Sequence, residues 1–200
     1  MNSYKTIFEN LEFEISPIKK SRFISFVYKV ASHEEALEVI DEAKAIYPGA
    51  NHYCWAYSLV DNNQLRFSDD GEPSGSAGKP ILSHIQGLGV SNVLVVVVRY
   101  FGGTKLGVGG LVRAYGQAAK EALALTTLIH VKPQSEILIE YDYSETVNVD
   151  NLLNRYDIQI IKENYSNLIS KVIKICTSEK SIFLEEITNI TKGRVKVIEY

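Results

Sequence analysis

The sequence predicts an α+β protein of two domains, on three observations. Its first part alternates strand-like and helix-like segments instead of repeating one of them. Residues 92–100 are of strand length and contain a continuous apolar run at 93–98, which is typical of a central strand buried on both faces. The last third follows the order strand, helix, strand, strand, helix, strand, which is the split βαβ or ferredoxin-like plan. A 46% apolar and 22% charged composition suits such a core.

Local patterns define the first elements. Four segments with alternating or β-branched and aromatic residues predict strands: residues 6–15, 22–30, 52–60 and 65–68. Ser32 and Glu35 form a capping box, and helical spacing of apolar residues follows until Pro48-Gly49. Residues 61–63 predict the turn of a hairpin between the last two strands.

Two Gly-rich segments flank the central strand. Residues 69–80 are rich in Gly, Pro, Ser and Asp and predict a loop, after which Pro80 opens a short helix to Ile85. Residues 102–110 follow the central strand and lead into a helical pattern over residues 111–125.

A domain boundary is predicted near Pro133, giving domains of residues 1–132 and 133–200. Residues 1–132 hold 13 Lys and Arg and 13 Asp and Glu, whereas residues 133–200 hold 8 and 11 and supply the net charge of −3. The ferredoxin-like elements are predicted as follows: strand 135–141, helix 144–156, strand 158–163, strand 168–176, helix 179–190 and strand 194–199.

Neither export nor membrane insertion is predicted. The N-terminus lacks the basic-then-apolar order of a signal peptide, and the apolar run at residues 93–98 is far shorter than the roughly 20 residues of a membrane span. Cys54 and Cys176 lack metal-like spacing and are interpreted as reduced packing residues. We therefore expect a cytosolic protein.

The strongest functional signal is a positively charged Gly-rich segment. Residues 73–120 contain no Asp or Glu but several Lys and Arg. Glycines allow close backbone approach, and a helix beginning after them offers free N–H groups to an anion. We expect an anion- or RNA-binding surface at Lys79, Arg99, Gly102, Gly103, Lys105, Gly107, Gly109, Gly110 and Arg113. The alternative is a tight turn that only packs the helix on the strand.

Other candidates carry weaker signals. Asp69, Asp70 and Glu72 could hold a divalent cation or could simply cap turns, and we expect no metal or cofactor. His52 is interpreted as structural, because residues two apart on a strand give no assured catalytic pair with Cys54. His84 lies in the basic segment and is expected nearer to an anion.

Residues 69–81 and 99–115 together resemble the YigZ/IMPACT family, with a match over residues 20–125 and a C-terminal unit like that of bacterial members. The resemblance implies an N-terminal domain like the second domain of a small-subunit ribosomal protein and domain IV of elongation factor G. It implies a C-terminal domain like domain V of that factor. Eukaryotic members act in translational control through an additional N-terminal domain, which this chain does not show, so their pathway does not carry over.

Two functions follow as hypotheses. The first is a non-catalytic, translation-associated regulator that binds RNA, the ribosome or a translation factor through the Gly-rich basic surface. The second is a small-molecule enzyme acting on a phosphorylated or nucleotide substrate held by the loop at residues 102–110, with Asp69, Asp70 or Glu72 as base or metal ligand. Because no nucleophile–base pair can be identified, a binding protein is favoured over an enzyme. A pocket with convergent acids would favour the enzyme, and an open basic face the binder.

Overall fold

The computed structural model describes residues 3–199, apart from the side chain of Asn62. Its contacts form two compact units, one of Tyr4–Val131 and one from Lys132 onward. The predicted boundary at residues 132–133 lies next to this division.

The N-terminal unit is built on a five-stranded antiparallel sheet of order β2-β3-β6-β4-β5. The elements of this unit are β1 (Tyr4–Ile7), β2 (Leu11–Glu14), β3 (Arg22–Lys29), α1 (His33–Ile46), β4 (His52–Ser58), β5 (Leu65–Ser68), α2 (Gly78–Leu88), β6 (Val93–Tyr100), α3 (Val108–Ala124) and β7 (Leu128–Val131). Strands β1 and β7 pair separately, antiparallel to each other.

The middle strand, β6, is buried on both faces, as its continuous apolar sequence predicts. Val93, Val95 and Val97 face the core that contains α2 and α3. The intervening residues at 94, 96 and 98 face the core that contains α1. The unit therefore has three layers, with helices on both sides of the sheet. The side chains of the odd-numbered residues of β6 face α2 and α3.

Helix α1 begins as predicted. The Ser32 hydroxyl accepts from the Glu35 N–H at 3.2 Å, and the Glu35 carboxylate accepts from the Ala31 N–H at 2.6 Å. Helix α3 differs from prediction, because it begins at Val108 and takes two glycines of the Gly-rich segment into its first turn. Strand β7 was not predicted at all.

The C-terminal unit confirms the ferredoxin-like prediction. Its elements are β8 (Gln134–Tyr141), α4 (Thr146–Leu153), β9 (Gln159–Tyr165), β10 (Ile169–Cys176), α5 (Lys180–Thr191) and β11 (Lys196–Glu199). The sheet has the antiparallel order β11-β8-β10-β9, in which the first and third strands of the unit are central. Within residues 3–199, no helix combines the length and apolarity needed to cross a membrane.

The N-terminal unit is predicted to fold alone. A fragment of residues 1–131 keeps β7, which pairs with β1 inside the same unit. We expect this fragment to be monodisperse and to unfold cooperatively in urea, since its two cores are formed by its own residues. An unfolded fragment, alongside a stable full chain, would mean that the units share a core.

Candidate functional site

The site begins at the end of β6, where three side chains share one face of the sheet. Arg99 lies opposite Phe23 of β3 and opposite His52 of β4. Directly opposed residues on antiparallel strands point to the same side. Arg99 thus extends the row that faces α2 and α3, and it is only 5% exposed.

Glu72 neutralises this buried arginine. Arg99 Nη1 donates to Glu72 Oε1 at 2.5 Å, and the side chains are 6% and 4% exposed. The Tyr115 hydroxyl of α3 donates to the same carboxylate oxygen at 2.8 Å. Arg99 Nη2 also reaches Ser21 Oγ at 3.5 Å, while its Nε lacks a hydrogen-bond partner in the described part of the chain. The pair therefore joins the loop before α2, the sheet and α3.

Two neighbouring groups are held in their neutral forms. Burial raises the pKa of the Tyr115 hydroxyl, and nearby Cys54 and Glu72 add to the effect, so Tyr115 remains a hydrogen-bond donor at neutral pH. Burial likewise raises the pKa of the Cys54 thiol, which donates to the Asp69 carbonyl at 3.0 Å. A buried, protonated thiol is not an activated nucleophile.

The two aspartates before Glu72 shape the loop. The Asp69 carboxylate accepts three backbone N–H bonds at 2.8–2.9 Å, from Gly75, Ala77 and Gly78. The Asp70 carboxylate accepts from the Tyr53 N–H at 2.6 Å. Of the three acids proposed as metal ligands or bases, only Glu72 reaches the site. Among residues 3–199, no three His, Cys, Asp or Glu side chains converge on a possible metal position.

His52 presents one ring nitrogen to Glu72. Its Nδ1 lies 2.8 Å from the Asp70 carbonyl oxygen, and because a carbonyl only accepts, Nδ1 carries the hydrogen. In the neutral ring, Nε2 is then a free acceptor, 3.7 Å from Glu72 Oε1. The strand register and the loop thus place the His52 ring beside Glu72, with Nδ1 bound to the loop backbone.

These groups line one part of an open cleft of about 430 Å³. Its polar lining includes His52, Glu72 and Arg99. Leu106, Val108 and Leu111 provide apolar lining from the start of α3, and Phe101 and Lys105 complete the groups that could contact a ligand. The cleft therefore combines an apolar wall, an aromatic ring and a cation.

The first turn of α3 borders this cleft with free backbone donors. Gly107 caps the helix at φ +72° and provides no side-chain hydrogen bond, and no acid lies in the first turn. The N–H of Leu111 bonds to the Gly107 carbonyl, whereas the three preceding N–H groups have no acceptor within the helix. Lys105 has no ion-pair partner in the part of the molecule that is described. Both features favour an anion.

The glycines of the segment serve different purposes. Gly102 lies against the backbone of the turn at Lys20, so close that an added Cβ would be 2.0 Å from the Lys20 carbonyl carbon. Gly103 and Gly107 have φ of +82° and +72°, which a residue with a side chain rarely adopts. Gly109 and Gly110 lie within α3. Close packing and turn geometry account for the first three, so their ligand role stays a prediction.

The remaining predicted residues lie apart from the cleft lining. Arg113 extends back toward the first turn of α3, with Nη1 3.9 Å from where a Cβ on Gly109 would lie. It also lines a second groove between α2 and α3, together with His84 and Lys120. Burial, with a contribution from Lys120, lowers the pKa of His84. Lys79 lies in the first turn of α2 and lines neither groove.

Comparison with known proteins gives consistent matches over most of the chain. A family model described as the Impact N-terminal domain matches residues 19–123. The "IMPACT family member YigZ" of Escherichia coli is 34% identical over 187 residues, which are 92% of each chain. An "IMPACT family member" of Haemophilus influenzae is 39% identical over 185 residues, covering 90% of this chain and 89% of that one.

A solved structure agrees with the fold. It is described as "Crystal structure of an hypothetical protein", is 32% identical to this chain and superposes with a TM-score of 0.70. The match covers 100% of this chain and 98% of the other. No ligand is named in that description or in the names of the two relatives.

Proposed function

The chain belongs to the IMPACT family, and we propose that it is a non-catalytic, translation-associated regulator that binds RNA, free or in the ribosome, through the cleft at the start of α3. The association with translation rests on the family, and the ligand on the geometry of the cleft.

One observation carries the proposal: the cations of the acid-free segment are almost all uncompensated. Of the five Lys and Arg in residues 73–120, only Arg99 is in an ion pair within the described residues. The others are Lys79, Lys105, Arg113 and Lys120. Of these, Lys105 lines the cleft and Arg113 extends back toward the free N–H groups of α3. Unpaired cations in such a position attract phosphates, the dominant source of affinity for RNA.

The acids of the site argue for binding over catalysis. Asp69 and Asp70 are occupied by backbone N–H groups of the loop and of β4. Glu72 is hydrogen-bonded to both Arg99 and Tyr115. All three carboxylates therefore already have structural partners in the site or its loop.

The salt dependence of RNA binding tests the proposal. Log affinity for single-stranded RNA should fall linearly with log salt, with a slope near −0.7 per contacted phosphate. The double substitution Lys105→Ala/Arg113→Ala removes the cation of the cleft and the cation that extends back to the first turn of α3 beside it. It should remove about two contacts and make the slope shallower by roughly 1.4. Fluorescence anisotropy with a labelled strand over a salt series measures both quantities.

A charge-matched control separates local contacts from net charge. Lys5→Ala/Lys29→Ala removes two cations from the same unit but outside the cleft, and should leave the slope unchanged. A wild-type protein with no affinity for RNA or ribosomes at low salt would refute the proposal. So would equal slope changes for the two double variants.

The shape of the cleft favours one alternative, an enzyme acting on a phosphorylated or nucleotide substrate. Its volume of about 430 Å³ lies within the range of small-ligand sites, roughly 300–1,000 Å³. His52 Nε2 is the proton acceptor that such a reaction would use there. A thermal-shift screen of nucleotides and sugar phosphates tests it, because a ligand at 100 times its Kd adds about 2.7 kcal/mol of stability.

A further inference from the structure

We infer that the cleft takes one unstacked nucleotide of single-stranded RNA, with its base on the Phe101 ring and its phosphate at Lys105. This inference rests on the proposed RNA binding and specifies the form of RNA. It assigns the recognition of single strands to the aromatic ring of Phe101, because cations alone attract phosphates in single strands and in duplexes alike.

Phe101 is exposed but firmly positioned. Its side chain is among the large apolar groups left open to solvent, at 44% exposure, although it adjoins a well-packed core. Its N–H donates to the Asn51 side chain at 2.8 Å, and Asn51 in turn donates from its own N–H to the Arg99 carbonyl at 2.9 Å. The backbone that carries the ring is therefore tied by two hydrogen bonds to the residue that precedes β4.

The ring also has a partner that restrains it. The Arg99 guanidinium carbon lies over Phe101, 5.6 Å from the ring centroid, and at the same distance from the Phe23 ring. Glu72 holds the guanidinium in place from the side. A rigid ring with an accessible surface is a low-entropy platform for stacking.

The rest of the lining suits a nucleotide. Leu106, Val108 and Leu111 offer an apolar wall that a base or ribose can contact, whereas Lys105 and the first N–H groups of α3 suit its phosphate. Base faces are available in single strands but are stacked inside a duplex. The cleft should therefore discriminate between the two forms of RNA.

The test compares a labelled single strand with the same strand annealed to its complement. Phe101→Ala should weaken binding of the single strand by about 5- to 150-fold, the value of one base–aromatic stack, and leave duplex binding unchanged. Its salt slope should equal that of the wild type, because no phosphate contact is lost. Phe101→Trp should retain binding, and Phe101→Leu should not, since it keeps apolar bulk without the ring.

Phe8→Ala is the matched control, because Phe8 is 64% exposed in the same unit but lines a different groove. It should bind as the wild type does. If the wild type binds RNA, two results for Phe101→Ala overturn this inference but not the proposed function. One is an unaltered affinity for the single strand, and the other is an equal loss of affinity for single strand and duplex. Absence of RNA binding by the wild type overturns the proposed function as well. Phe101→Trp against Phe101→Leu decides the question if the alanine variant does not fold.

Discussion

Glu72→Ala is expected to lower the free energy of unfolding of the N-terminal unit by about 3–5 kcal/mol, because it leaves a buried guanidinium without its counter-charge. Arg99 is 5% exposed, so little of its side chain is in contact with water in the folded unit. Tyr115 loses its acceptor at the same time. Urea unfolding followed by fluorescence measures this change. The single tryptophan, Trp55, lies in β4 and reports on this unit.

Two variants show whether the pair itself causes the loss. Glu72→Gln keeps an oxygen for Arg99 and Tyr115 but removes the charge, so its effect should fall below that of alanine. Glu14→Ala breaks an ion pair with Arg22 whose side chains are 36% and 48% exposed, and should change stability by less than about 1 kcal/mol. If Glu72→Ala and Glu14→Ala are equally mild, the buried pair is not a structural element.

The role of Glu72 bears on what the cleft can do. A carboxylate that holds Arg99 and Tyr115 in place keeps the ring of Phe101 in position through the guanidinium. Its stabilising role and its use as a base would compete, because protonating it during a reaction would weaken the pair with Arg99. A large loss of stability in Glu72→Ala is therefore the result expected for a binding site.

Local periodicity explains why most of the fold could be predicted. The apolar run of β6, the cap at Ser32 and the alternation of the C-terminal strands each depend on neighbouring residues. Pairing between β1 and β7 does not, since it joins two four-residue strands from opposite ends of the unit. The start of α3 was misplaced because glycine is unfavourable inside helices, whereas the first turn tolerates it.

The candidate site was only partly predictable for a related reason. The absence of Asp and Glu from residues 73–120, which hold five Lys and Arg, is visible in the sequence, and so is the helix that follows the glycines. The pairing of Glu72 with Arg99 depends on the register that sets His52, Arg99 and Phe23 side by side. The sequence holds one usable signal, because an arginine near the end of a strand that is buried on both faces requires an acidic partner.

Gly102→Ala is the second change with a large expected effect, a loss of about 3 kcal/mol or more. The new Cβ would lie 2.0 Å from the carbonyl carbon of Lys20 and 2.3 Å from the Ser21 nitrogen, both backbone atoms that cannot rotate away. The turn itself cannot yield easily. Ile18 and Ser21 exchange two backbone hydrogen bonds at 3.0 Å, and Lys19 and Lys20 already have positive φ.

Two nearby glycines isolate the cause. Gly103→Ala meets no atom within 4 Å but must adopt φ +82°, so it should lose only about 1–2 kcal/mol. Gly109→Ala has both space and ordinary helical backbone, and should gain up to about 1 kcal/mol. Urea unfolding of the three variants should thus rank them in the order 102, 103, 109 from least to most stable. Equal losses at Gly102 and Gly103 would mean that backbone conformation, and not the contact with the turn at Lys20, requires glycine there. Gly102 also donates its N–H to Ser21 Oγ at 3.1 Å, and Arg99 Nη2 reaches the same hydroxyl. The close approach of Gly102 to the turn therefore also fixes the end of β6, next to which Phe101 lines the cleft.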